Sequence, residues 1–231
     1  MKRKRLIVGI VAASFCWMPA KAFYRDEFDG AAGDARRKQA GKDQISSKCE
    51  TDGRGWLIAG SSQVSNYRVD IGSDMKALGD KLSALRITVV FKSPKVHWIG
   101  FGFTGDRAAL ILNPESKGGP WLQCGSDFIF LRGGSGSSGS AQEFRGCYSP
   151  GTVVTNEIIY YPARQAVDLY INGQELARGV RILHQDPAGK ESRPVLEWFQ
   201  MIFFKQDQDG GAFDSFHIEE ICDPGAAGMV G

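Results

Sequence analysis

The sequence predicts an all-β fold, an antiparallel sandwich or barrel, and three observations predict it. Short segments rich in β-branched and aromatic residues recur along most of the chain, with Gly, Pro, Asn and Asp between them. Within these segments apolar and polar positions alternate: over residues 84–92, Ile87, Val89 and Phe91 oppose Arg86, Thr88 and Val90. No long segment repeats its apolar residues at the helical period. Gly is abundant, 29 of 231 residues, which suits a chain with many turns.

The elements follow in order. FYRDEF (23–28) is the first expected strand. The polar stretch from Asp29 to Lys48 reads as a long surface excursion. GWLIAG and SNYRVDIG are short strands. SDMKALGDKL (73–82) reads as one helical turn or a loop, because Gly79 disfavours a longer helix. Three strands then follow, ALRITVVFK, KVHWIGFGFTG and RAALIL. Trp121 stands in the loop NPESKGGPWLQCG. DFIFLR (127–132) is a strand, and GGSGSSGSA is a flexible connector by composition. TVVTNEIIYY, AVDLYING, QELARGVRI, VLEWFQMIFF and AFDSFHIEEI complete the set. Asn172-Gly173 between two alternating runs is the signal of a tight type I′ hairpin, with Val167, Leu169 and Ile171 on the buried face.

The N-terminus orders four basic residues (Lys2–Arg5), an apolar run from Leu6 to Met18 and small residues at Ala20 and Ala22. This is the order of a secretory signal peptide, so residues 1–22 are expected to be removed and the chain exported to the periplasm, the cell surface or beyond. Lipid anchoring at Cys16 fits poorly, because Phe15 stands where a small residue is wanted. Residues 23–222 read as a single domain and 223–231 as a flexible tail. Residues 1–22 hold five basic residues and no acidic one, so their removal takes the formal charge from +2 to −3. That balance argues against nucleic acid as a partner. No second apolar segment is long enough for a membrane span.

Cys49, Cys124, Cys147 and Cys222 remain after cleavage, an even number in an exported chain, which points to disulfides. Three connectivities are open. Cys124–Cys147 would tie off the loop between them, and Cys49–Cys222 would tether an early loop to the last strand. Their spacing is not that of a zinc site.

The order of FYRDEFDG, GWLIAG, IIYYPARQAVDLYINGQELARG and GAFDSFHIEEI resembles the concanavalin A-like, laminin-G-like jelly-roll superfamily. The resemblance covers most of residues 23–222. It implies two antiparallel sheets packed face to face, one of them concave, with the last strand pairing near the first. It also implies a choice among lectins, carbohydrate-binding modules, glycanases, polysaccharide lyases and adhesion domains, which fold alone does not make. The family 16 glycanases of this fold carry two carboxylates on one face of a strand. No such motif occurs here: Glu219 and Glu220 are adjacent and a strand points them to opposite faces. Asp168 and Glu197 are single strand carboxylates. The lyases pair a His with a Tyr, and their motifs do not match around His97, His184, His217, Tyr160, Tyr161 or Tyr170. There is no G-x-S-x-G elbow, and the Gly-rich loop lacks the Lys of a phosphate loop.

Glycan recognition without catalysis is therefore the leading expectation. A divergent glycoside hydrolase or polysaccharide lyase is the alternative, and a structural or adhesion domain that binds protein is the second. Sugar rings stack on aromatic side chains, and their hydroxyls need polar neighbours. Trp98, with Gly100 and Gly102 on the same strand face, can form a floor with an aromatic at one end. Trp121, Arg132 and His97 are the other candidate ligand residues, whereas Trp56 and Trp198 read as core. The resemblance further implies a calcium ion near the joined termini, for which Asp29 and Asp214 are the candidate ligands.

Overall fold

The structure is a computed structural model. It describes residues 21–29, 33–34, 44–47, 49–60, 64–105, 118–133, 141–182, 194–204 and 210–223. The first six strands are β1 (Lys21–Asp26), β2 (Gly33–Asp34), β3 (Gln44–Ser47), β4 (Cys49–Thr51), β5 (Leu57–Ala59) and β6 (Ser65–Asp70). A helix, α1 (Gly72–Leu78), and a 3₁₀ turn (Gly79–Lys81) follow. The middle of the chain forms β7 (Ala84–Lys92), β8 (Trp98–Thr104), β9 (Trp121–Cys124), β10 (Phe128–Arg132) and β11 (Ala141–Arg145). The last strands are β12 (Val153–Tyr161), β13 (Ala166–Ile171), β14 (Gln174–Arg181), β15 (Trp198–Phe204) and β16 (Ala212–Ile221).

These strands make two antiparallel sheets. Nine form one sheet in the order β14-β13-β12-β7-β16-β5-β4-β2, with β1 also paired to β16. Seven form the other in the order β11-β10-β9-β8-β15-β6-β3. The expected pairing of first and last strands is present, with Tyr24 opposite Ile218 and Asp26 opposite Phe216.

Alternation explains the packing. Ile87, Val89 and Phe91 of β7 and Phe213, Phe216 and Ile218 of β16 face inward from the nine-stranded sheet. They meet Phe101 and Phe103 of β8 and Phe199, Met201 and Phe203 of β15. Across the interface Phe199 stacks on Phe216 at 5.0 Å, and Phe203 meets Phe213 edge-on at 5.1 Å. Each such buried ring contributes about 1.5–3 kcal/mol relative to exposure. A polar contact joins the sheets near β1. The Tyr67 hydroxyl donates to Asp26 Oδ2 at 2.8 Å, and the Phe28 N–H donates to Asp26 Oδ1 at 3.0 Å. Burial, reinforced by Tyr24 and Asp26, pushes the Tyr67 hydroxyl far above its ordinary pKa, so it remains a donor.

The Asn172-Gly173 turn has the expected form, with φ of 50° and 78° and Ile171 opposite Gln174. Elsewhere the structure departs from what the sequence predicts. SDMKALGDKL supports two helical turns rather than one, and Gly79 (φ 50°) ends the helix. Trp121 begins strand β9 instead of lying in a loop. The surface excursion contributes β2 and β3, and two further strands, β4 and β11, were not foreseen. His97 precedes β8 in a turn at φ 60° rather than lying in the strand. Trp56 is half-buried. The expected strand RAALIL, the residues 134–140 of the connector, His184 and residues 1–20 lie outside the described residues. β1 begins at Lys21, two residues before the expected mature N-terminus. Asp223, where the tail was expected to begin, pairs with Arg164 at 3.1 Å.

Neither expected disulfide is closed: Cys49, Cys124 and Cys147 carry thiols. For Cys49–Cys222 the topology gives the reason. Cys49 is level with Ala59 of β5, which joins β16 at Phe213, whereas Cys222 follows the opposite end of β16. Nine residue steps separate Phe213 from Cys222, about 30 Å at the usual rise per residue, and a disulfide needs Cα atoms within about 7 Å. Cys124 and Cys147 differ, because they are neighbours. Burial pushes the Cys124 thiol up, the Tyr148 hydroxyl beside it pulls down, and the Cys147 thiol pushes it further up.

Candidate functional site

The same alternation that fills the core sends one side of β6, β8, β9, β10, β11 and β15 of the seven-stranded sheet outward. β6 presents Asn66, Arg68 and Asp70, and β15 presents Trp198, Gln200, Ile202 and Phe204. β8 presents Trp98, Gly100, Gly102 and Thr104, and β9 presents Trp121 and Gln123. β10 presents Phe128, Phe130 and Arg132, and in register with them β11 presents Glu143 and Arg145.

Strand register arranges these side chains in rows. One row runs Arg68–Gln200–Gly102–Trp121–Arg132. The next runs Asn66–Ile202–Gly100–Gln123–Phe130–Glu143. In a third row Trp98 and Phe204 stack with ring centroids 4.8 Å apart and planes 6° from parallel.

The centre of this face is closed. Gly100 and Gly102 make room for the indole of Trp121: a Cβ on Gly100 would lie 2.4 Å from Trp121 Cζ2, and one on Gly102 would lie 2.7 Å from Trp121 Cε3. Trp121 is accordingly 1% exposed and packs with Ile202 in a small cluster of its own, against which Trp98 leans. The glycine floor exists, but Trp121 fills it, so that indole offers no open ring face. Arg68 and Gln200 are also buried. With its amide oriented to satisfy both partners, the Gln200 side-chain oxygen accepts from Arg68 Nε at 2.9 Å and Nη2 at 3.1 Å.

The open part lies over β10 and β11. Phe128 and Phe130 are half-buried and meet edge-on at 5.2 Å. The Arg132 guanidinium stands 5.8 Å from the Phe130 centroid, and that of Arg145 stands 5.7 Å from Phe128. Cation and ring attract at such distances. Together these side chains form a ladder, Arg132–Phe130–Phe128–Arg145, with Gln123 and Glu143 beside Phe130. Arg145 pairs with Glu143. Among the described residues no carboxylate pairs with Arg132, and its buried Nε meets no acceptor. The sequence reading named Arg132 but missed Phe128 and Phe130, although the alternation in DFIFLR places all three on one side of a strand.

Two carboxylates project from the described strands onto this face, Asp70 and Glu143. Asp70 Oδ1 accepts the Gly72 N–H at 2.9 Å, which fixes the start of α1. β6 and β11 are five strand steps apart, about 24 Å at the usual strand spacing. Acid/base pairs of glycosidases stand about 5–9.5 Å apart. His97 is exposed beside Trp98 in the turn before β8. His217 lies on the outer face of the other sheet, opposite Thr88. Tyr160 faces the core, and Tyr161 donates to Asp168 at 2.8 Å, so no His–Tyr pair forms among the described residues expected to supply one. Asp168 also accepts the Gly179 N–H at 2.7 Å, which makes it a buried structural carboxylate rather than a solvated one.

Asp29 and Asp214 are the expected calcium ligands. Asp29 is exposed beyond β1, and Asp214 sits at a bulge in β16 with the Ser215 hydroxyl donating to it at 3.1 Å. Among the described residues no group of three or more His, Cys, Asp or Glu side chains comes together, whereas calcium takes roughly six to eight oxygens. A separate cavity of about 210 Å³ lies between α1 and residues 194–197. Its walls, among them Met75, Leu82, Val195 and Leu196, are mainly apolar, and they offer few partners for sugar hydroxyls.

No protein-family model matches the chain, and no curated protein matches its sequence. Solved structures match its fold. The Trypanosoma rangeli sialidase in complex with sialic acid superposes on 80% of this chain and 28% of its own, with 8% identity and a TM-score of 0.52. The chain folds as a two-sheet antiparallel jelly-roll sandwich. This jelly roll spans little more than a quarter of that sialidase's length. Lectin II from Ulex europaeus aligns over 87% of this chain and 100% of its own, at 11% identity and a TM-score of 0.47. A glycosyl hydrolase family protein from Mycobacterium fortuitum aligns over 86% and 99%, at 11% identity and a TM-score of 0.49. At these identities the likeness extends to the fold alone. No helix among the described residues is long and apolar enough to cross a membrane.

Proposed function

We propose that this chain is an exported, non-catalytic glycan-binding domain whose ligand lies on the outer face of the seven-stranded sheet, over β10 and β11. The observation that carries the reading is the ladder Arg132–Phe130–Phe128–Arg145. Two half-open aromatic rings are flanked there by hydrogen-bonding groups, the combination that the apolar face and hydroxyl rim of a sugar require. Trp98 and His97 border the same face. The wide separation of Asp70 and Glu143 favours binding over hydrolysis. The apolar run and small residues of 1–22 support export, and the adhesion reading lacks a comparable feature.

The test is binding of the purified chain to a polysaccharide panel, followed by Phe130→Ala on any glycan retained. Loss of stacking should weaken binding about tenfold, on the order of 1.4 kcal/mol, with the fold unchanged by circular dichroism. A chain that retains no glycan, or a Phe130→Ala variant that binds like the parent, contradicts the proposal.

A further inference from the structure

Resting on that reading, we infer that the glycan is anionic, and that Arg132 receives its carboxylate or sulfate group. A guanidinium carries five N–H donors and no acceptor. Arg68, in the same row, spends two of its donors on Gln200, and Arg145 faces Glu143. Arg132 is the contrast. It ends β10 at the open side of the face, its Nε is buried without an acceptor, and no described carboxylate neutralises it. The other guanidinium nitrogens are not among the buried atoms, so this position is open to a ligand that brings acceptors and a compensating charge. A neutral hydroxyl supplies one acceptor, but an oxyanion fits better, because the planar fork donates to two of its oxygens at once through charge-assisted bonds. Phe130 beside it supplies the surface for the ring that bears the charge. The two carboxylates on this side of the sheet do not oppose that ligand at Arg132. Asp70 is committed to the start of α1, and Glu143 is paired with Arg145.

The test compares binding of the full chain to polygalacturonate, to dextran sulfate and to neutral dextran and cello-oligosaccharides, for the parent, Arg132→Gln and Arg132→Lys. The inference predicts that a charged polymer binds at least about tenfold more tightly than the neutral ones. Arg132→Gln should remove most of that preference, and Arg132→Lys, which keeps the charge but not the fork, should retain part of it. Preference for polygalacturonate identifies a carboxylate as the group received, and preference for dextran sulfate a sulfate ester. Equal or tighter binding of neutral glycans overturns the anionic assignment and leaves glycan recognition standing. Binding of charged polymer that neither substitution changes overturns the role of Arg132. Failure to bind any of these polymers or any other glycan overturns both readings together.

Discussion

Asn156 lies on the core side of β12, level with Val89 and Ile171, and is fully buried, yet neither its amide nitrogen nor its oxygen is hydrogen-bonded. A buried amide without partners costs free energy that an apolar side chain of similar size would not. Asn156→Val should therefore stabilise the protein by about 1–2 kcal/mol, read as a higher midpoint of denaturant unfolding with an unchanged slope. A lower midpoint would show that the amide has a partner in solution. Nothing in TVVTNEIIYY distinguishes this Asn from a turn residue until the inward alternation of Val154, Ile158 and Tyr160 is seen. Arg132 was legible for a simple reason, since it closes an alternating run. Trp121 was not, because its burial depends on Gly100 and Gly102, two residues on a strand that precedes it by about twenty positions in sequence and joins it only in the fold.

At the scale of elements, what could be read from sequence is what local alternation decides. β16 coincides with AFDSFHIEEI, and β13 and β14 flank Asn172-Gly173 as the turn chemistry requires. β9 escaped because Gly118, Gly119 and Pro120 read as a loop up to Trp121, although the strand begins at that residue. β11 escaped because AQEFR follows a Gly/Ser run and holds a single large apolar residue, Phe144, on its inner side. The hairpin region β9–β11 carries both the candidate site and the Cys124–Cys147 pair. Tyr148 fixes this corner, its hydroxyl donating to the Phe128 carbonyl at 2.8 Å. Because burial keeps Cys124 protonated, iodoacetamide should label half-buried Cys147 first and Cys124 only after unfolding. Oxidised glutathione should instead close the bridge. Each chain loses two protons and two electrons, and the glutathione disulfide takes them up to become two thiols. The closed loop should add about 3 kcal/mol of stability. Mixed glutathione adducts at both cysteines, with no intramolecular bridge by mass spectrometry, would contradict the pairing.

For the whole molecule, two sheets share one aromatic core and differ in their outer faces. On the nine-stranded sheet Arg86 stands between Glu157 and Glu219, at 3.6 and 3.1 Å, so its charge is met by carboxylates of the same face. On the seven-stranded sheet the outward residues include aromatic rings, amides and guanidinium groups, its two strand carboxylates Asp70 and Glu143 are already engaged, and Arg132 is left without a counter-ion among the described residues. That asymmetry is the basis for assigning recognition to one face. The architecture was legible because strand spacing and order are global features of the sequence, whereas the choice of face depends on register between strands distant in the chain. The most direct measurement is an amide and side-chain NMR titration of the chain with oligosaccharides from the glycan panel. The account predicts shifts confined to Trp98, Phe128, Phe130, Arg132 and their neighbours on β8 to β11. Shifts on the outer face of the nine-stranded sheet, or none with any oligosaccharide, would contradict it.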